Sequence, residues 1–303
     1  MPGPLFEGSF VLAVVTGYLL LLFGVGYLGE RKFDALRARG LDRYVYVFAA
    51  GVYCTSWTFY GCIGNAAQTG PSFLALFIGP SVFALSWWTV LRKLVRFCRT
   101  HNVTSVPDLL SVRYGGTPWL GALATLFLVI GSVPYISLQL RAVAISYDTI
   151  AGSPGGGLAA AVDPMLLVAL FLAAFALFFG GRYLDFTRPQ GGVLTAVATE
   201  SVVKLVILLA AGAFVCYGVF DGVGDIYSRA LAHPEWKKLT GLSDAAGNGY
   251  ARWTAYFAVA VIDVFLLPRQ FHVFVVQNGD ESHIKTAMWM FPLYLLLINL
   301  FIV

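Results

Sequence analysis

The sequence predicts an all-α polytopic membrane protein, on three observations. Of its 303 residues, 58% are hydrophobic and only 12% charged, too apolar for a water-soluble globule that must present a polar surface. Eight apolar runs are long enough, at about 20 residues per helical crossing, to span a bilayer core. They lie near 9–28, 44–64, 72–91, 118–150, 163–180, 192–220, 251–277 and 286–303. Finally, Lys and Arg gather on alternate sides of these runs, as they do in cytoplasmic loops.

The first run is read as a retained helix with its N-terminus outside. Its leader MPGPLFEGSF carries no Lys or Arg, and ERK rather than a small-residue cleavage site follows. Alternating from there, Arg31, Lys32, Arg37, Arg39 and Arg43 become cytoplasmic, as do Arg92, Lys93, Arg96, Arg99 and Arg113, then Arg182 and Arg188, then Arg269 and Lys285. The outer side keeps Arg229, Lys237, Lys238 and Arg252. The net charge of +4 is thus accounted for by topology and lipid, and needs no nucleic-acid partner.

The second run is unusual. Its stretch GVYCTSWTFYGCIGNAAQTG, residues 51–70, replaces leucine with glycine, hydroxyls and an amide, and helix rise puts Gly51 to Thr58 near the bilayer midplane. One reading is a discontinuous helix whose freed carbonyls bind a cation and whose hydroxyls, on Thr55, Ser56 and Thr58, meet a polar solute. The other is a seam in which Gly, Ser and Thr let helices approach; on either reading Gly61 and Gly64 loosen the outer half. Composition leaves both open.

After the third run, HNVTSVPDLLSVRYGG predicts a short cytoplasmic helix, with Ser105 as N-cap, Pro107 in the first turn, Asp108 completing a capping box and Gly115 as the stop. In the fourth run Pro134 should disturb the helix, while Tyr135 and Gln139, four apart, share a face. That pair reads as interhelical hydrogen bonding or as pocket lining; Arg141 and Asp148 can snorkel outward. The outer loop AGSPGGG, 151–157, has no Lys and so is not a P-loop. The outer segment 221–250, with HPEWKK in its middle, reads as a surface loop or a lid.

Glu200 and Lys204 are spaced for a one-face pair on the sixth run, and Asp263 falls near midplane on the seventh. Each such charge costs at least about 2.5 kcal/mol on insertion scales, so a Glu200–Lys204–Asp263 network is a candidate for function, the alternative being a pair that sets helix register. The four cysteines, Cys54, Cys62, Cys98 and Cys216, make no C-x-x-C pair, and the four histidines are scattered. A disulfide framework, a metal centre and a cofactor are therefore not expected. No nucleophile elbow, H-E-x-x-H or Walker loop occurs, so no catalytic residue is assigned. The final FPLYLLLINLFIV stops inside an apolar run, which is expected of a fragment of a longer chain.

Five stretches in order, TSWTFYGCIGNAAQTG, VTSVPDLLSVRYG, VPYISLQLRAV, FGG with TAVATESVVKL, and LPRQFHVFVVQN, resemble the sodium:solute symporter family. YCTSWTFYG, TESVVKL and LPRQFH are similar to the subgroup in which such a domain is the N-terminal half of a bacterial sensor histidine kinase. The resemblance implies a LeuT-type inverted-repeat fold with an extra N-terminal helix, truncated in its second repeat. Residues 1–43 would be the extra helix and a cytoplasmic loop, 44–220 the first repeat, and 221–303 an outer loop and the incomplete second repeat. It implies sodium binding by the carbonyls of Gly51 and Cys54. It also implies import of a small, amino acid-like solute coupled to sodium or protons, across a bacterial inner membrane. Thr55, Ser56, Thr58, Tyr135 and Gln139 would contact the solute. A cytoplasmic kinase domain and its response regulator are the partners implied, with sensing without net transport as the alternative. The sequence departs from the family in carrying Glu200 and Lys204 where transporters often have Asp and Gln, and Tyr53 where some have an acid.

Overall fold

The computed structural model describes residues 5–152, 163–177, 190–232 and 249–302. Most of the 151–157 loop, HPEWKK, Arg182 and Arg188 lie outside these residues. Fourteen helices follow one another among the described residues. They are α1 (Gly8–Ala38), α2 (Asp42–Ala49), α3 (Ser56–Phe59), α4 (Gly61–Thr69), α5 (Ala75–Ala84), α6 (Val90–Thr100), α7 (Val106–Arg113), α8 (Pro118–Ala151), α9 (Pro164–Phe175), α10 (Gly191–Phe214), α11 (Val223–Ala232), α12 (Gly249–Leu266), α13 (Pro268–Phe271) and α14 (Ser282–Asn299).

Among the described residues, three helical segments are unbroken and apolar over a full crossing length: Gly8–Ala38, Pro118–Ala151 and Gly191–Val219. A fourth crossing counts if α12 and the segment Pro268–Val276, bent by 53° from it, are one span. These helices mark the chain as membrane-embedded. The apolar runs at 44–64 and 72–91 are both divided, the first as its discontinuous-helix reading expects. The first breaks where Cys54 and Thr55 turn extended. The second breaks after α5, where Ser86 and Thr89 hydroxyls donate to the carbonyls of Phe83 at 2.7 Å and Ser86 at 2.8 Å, a local bonding pattern that competes with helix continuation. The seventh run divides at Leu267, which is extended (φ −64°, ψ 127°) ahead of Pro268, because proline disfavours the helical conformation in the residue before it.

Two other expectations are corrected. The first helix does not stop before ERK but runs on to Ala38, so Arg31 lies on its last turns and stacks over Tyr27 at 4.4 Å. Pro134 does not interrupt α8, which is continuous over 34 residues; one missing N–H is absorbed by the hydrogen bonds on either side of it. The short helix α7 forms, with Ser105 Oγ accepting from the Asp108 N–H at 3.2 Å. Asp108 reaches back to Thr104, not to Ser105, accepting from its hydroxyl at 2.9 Å.

Helix α1 lies along α10 through small residues. A Cβ at Gly29 would stand 2.6 Å from Thr195 Cβ, and one at Gly192 would stand 2.7 Å from the Gly26 carbonyl. Glu30 caps the start of α10, accepting from the Gly192 N–H at 2.6 Å, where an acid also complements the helix dipole. α10 in turn packs on α2 and α14, and α5 packs on α12 and α14. Where they meet, Trp87, Tyr46, Phe274 and Phe291 are buried. Trp87 stacks on Phe291 with centroids 5.3 Å apart and meets Phe274 edge-on at 4.7 Å, both favoured aromatic geometries.

On the basic face, α6 is tied to the segment before α14. Arg92 Nε donates to Glu281 at 2.7 Å and Arg96 Nε at 2.6 Å, while Arg99 donates to the Asn278 carbonyl. The hydrogen bonds from Arg96 and Arg92 hold the Glu281 carboxyl down at about 2. A carboxylate depressed in the folded state stabilises it above the ordinary glutamate value of about 4.3, and that contribution disappears as the pH falls toward 2. Glu281→Gln should therefore raise amide exchange over residues 278–285 at pH 7, and the difference from the parent should shrink on acidification below about 4; hydrogen-exchange mass spectrometry reads both.

Candidate functional site

The site begins with backbone. Ala50–Tyr53 tighten into a 3₁₀ turn whose last bond runs from the Cys54 N–H to the Gly51 carbonyl at 2.9 Å. Cys54 (ψ 114°) and Thr55 (φ −118°, ψ −168°) are extended, and a new helical turn starts at Ser56. Such a break at membrane depth exposes N–H and C=O groups that lipid cannot satisfy. Three side chains answer it. Thr55 Oγ1 accepts from the Trp57 N–H at 3.4 Å. Gln139, reaching over from α8, accepts from the Ser56 N–H at 3.2 Å and from its hydroxyl at 2.5 Å. Lys204 Nζ donates to the Cys54 carbonyl at 3.1 Å and pairs with Glu200 at 2.7 Å.

A cavity of about 180 Å³ opens beside the break, lined by Tyr53, Thr55, Trp57 and Thr58 from one side and by Tyr135, Asp263 and Arg269 from the others, with Leu76, Phe77 and Leu267 as apolar wall. Tyr53 is held by donating to the Leu76 carbonyl at 2.8 Å. The Arg269 guanidinium stacks over the Tyr135 ring at 4.6 Å. Asp263 and Arg269 form no ion pair among the described residues. Among the described residues, the buried Asp263 Oδ1, Arg269 Nε, Tyr135 hydroxyl and Gln139 Nε2 have no hydrogen-bond partner. Buried polar atoms in native proteins are ordinarily satisfied, so the three of these that belong to cavity-lining residues, on Asp263, Arg269 and Tyr135, are available to a bound polar solute. The offer is one acceptor with negative charge, one donor with positive charge, and a neutral hydroxyl.

The residues expected from sequence divide between two places. Thr55, Thr58, Tyr135 and Asp263 line the cavity; Ser56 and Gln139 do not line it but bond to each other at the helix break. Glu200 and Lys204 do pair, but Asp263 does not join them: no hydrogen bond or ion pair among the described residues connects it to either. The three-membered network is thus corrected to a Glu200–Lys204 pair behind the break and an Asp263–Arg269 couple in front of it. The reason is the bend at Leu267, which turns α13 back so that Arg269 faces the cavity rather than the basic loop to which side-counting assigns it. Arg269 is the functional candidate the sequence reading missed; Pro268, five residues beyond an intramembrane acid, was the signal for such a bend.

Gly51 serves packing as well. A Cβ there would stand 2.8 Å from Ser201 Cβ and 2.9 Å from Tyr294 Cζ, and Tyr294 locks that contact by donating to the Ser201 carbonyl at 3.1 Å. The seam and the broken helix are both present in one stretch.

No protein-family model and no solved structure matches the chain. Over 297 residues the chain is 23% identical to a protein of Bacillus subtilis (strain 168) named "Uncharacterized symporter YhjB", covering 95% of the present chain and 56% of that protein. The chain therefore spans little more than half the length of this relative.

Gly51→Ala should lower the unfolding free energy by about 1–3 kcal/mol, the usual cost of forcing an extra carbon into a packed contact. Gly64→Ala, where open space surrounds the position, should change it little. Thermal melting of the two variants in detergent checks the contrast.

Proposed function

We propose that the chain is a membrane transport domain that binds a small zwitterionic solute of amino-acid type at the broken helix and carries it inward, coupled to a sodium or proton gradient. The observation that carries the reading is the pairing of Asp263 and Arg269 across one cavity, each with unused hydrogen-bonding capacity. An α-amino acid presents an ammonium for the first and a carboxylate for the second. The Tyr135 hydroxyl supplies a neutral contact, while the apolar wall of Leu76, Phe77 and Trp57 receives the side chain.

Support for a LeuT-type inverted repeat comes from the two interruptions. Each proposed repeat opens with a broken helical segment, α2–α3 at Cys54–Thr55 and α12–α13 at Leu267, the arrangement that places transporter sites between corresponding half-helices. The distant similarity to a protein named a symporter favours the same reading. Rocking of one repeat against the other about this cavity would give alternating access. The sensor-kinase role implied by the resemblance would use the same cavity as its input, and a histidine-kinase core downstream in the reading frame is the observation that would favour it.

Binding of radiolabelled amino acids, against sugars and uncharged amides as controls, to the full natural chain in nanodiscs tests the proposal. Asp263→Asn and Arg269→Gln should each weaken amino-acid binding by about 10–100-fold, the effect of losing a charged hydrogen bond of about 1.5–3 kcal/mol. Unchanged affinity in both variants would remove the cavity from consideration as the solute site.

A further inference from the structure

The two carbonyls assigned to sodium by the resemblance are already engaged by donors of the chain. The Gly51 carbonyl closes the 3₁₀ turn by accepting from the Cys54 N–H at 2.9 Å. The Cys54 carbonyl accepts from the Lys204 ammonium at 3.1 Å. A sodium ion ligated by the Cys54 oxygen would stand in direct contact range of a fixed positive charge in a poorly screened place, where like charges repel strongly. The donor set present does not fit sodium.

The rest of the surroundings fits the lysine. Glu200 lies one helical turn before it on α10 and closes an ion pair at 2.7 Å, so the ammonium is neutralised by a carboxylate and oriented by a main-chain oxygen. Both side chains are mostly shielded, with relative exposures of 21% for Lys204 and 36% for Glu200. A charge pair alone would account for helix register. It would not account for the ammonium reaching from α10 to the Cys54 carbonyl at the break.

We infer that Lys204 is the tethered cation of this site: its ammonium permanently takes the place of a mobile coupling ion at the Cys54 carbonyl, and sodium does not bind there. This rests on reading the helix break as the coupling-ion position, and it narrows the transport proposal to a sodium-independent one. The inference also says what removing the ammonium does. With Lys204 shortened, the Glu200 carboxylate and the Cys54 carbonyl become two adjacent hard oxygen ligands with no counter-charge, and a small cation can enter.

Thermal melting of the full natural chain in nanodiscs, titrated with sodium chloride and, separately, with choline chloride at equal ionic strength, tests this. The parent protein should melt at the same temperature in both salts, as should Lys204→Arg. Lys204→Ala should be less stable in choline and gain a sodium-specific upward shift, which Glu200→Gln added to it should abolish. A sodium-specific stabilisation of the parent protein would overturn the inference, even if Lys204→Ala fails to fold. So would a Lys204→Ala variant equally destabilised in both salts, the result expected of a purely structural pair. Amino-acid uptake driven by a sodium gradient would also overturn the lysine assignment while leaving transport intact. Sodium-indifferent melting of the parent, with gain of sodium response in Lys204→Ala, upholds it even where no solute binds, in which case it is the transport reading that fails.

Discussion

A helix interrupted inside a membrane must have its freed backbone groups satisfied by the protein, because lipid offers neither donors nor acceptors. The extended residues Cys54 and Thr55 impose that requirement here. Gln139 meets the N–H side from α8, Lys204 meets the C=O side from α10, and Thr55 caps its own new turn. The positions of the long helices around the site follow from this: α8 and α10 each commit a polar side chain to the break. The same commitment leaves the front of the break open as a cavity.

The scaffold that holds these helices is built from small contacts and large rings. Glycines at 29 and 192 let α1 and α10 approach, and Gly51 lets the 3₁₀ turn after α2 approach α10 and α14, to distances that a methyl group would forbid. Around Trp87, Phe274 and Phe291, aromatic packing joins the segment after α13, and α14, to the turn after α5. Arginines of α6 then tie down Glu281. Rigid support of this kind is what fixes polar groups lining a binding cavity within tight geometric limits. It also lets Asp263 and Arg269 face one cavity without collapsing into an ion pair.

Much of this is legible in the amino-acid order. The glycine and hydroxyl content of 51–58 at midplane depth announces a special segment, and Glu200, Lys204 and Asp263 announce themselves by the cost of placing charge there. The Ser105 cap and the left-handed Gly115 (φ +82°) bound a short helix that composition alone delimits. Less legible is the direction in which a broken segment turns. Arg269 counts as a cytoplasmic charge when basic residues are assigned by side, and Asp263 joins Lys204 when depth is the only coordinate. Pro134 signals disruption by propensity, yet the long helix continues through it.

By itself the sequence determined what its chemistry could not hide: an apolar all-helical chain, the depth of its charges and the presence of a weak point near Gly51. These depend on composition and on periodicity along one axis. Only the tertiary structure decided how the weak point is used. Azimuth around each helix, and the bend at Leu267, set which charges meet, so that Lys204 turns to the Cys54 carbonyl while Asp263 and Arg269 turn to the cavity. The reason is geometric: residue spacing sets height in the membrane, whereas which face of one helix meets another is set by packing that spans more than a hundred residues of chain.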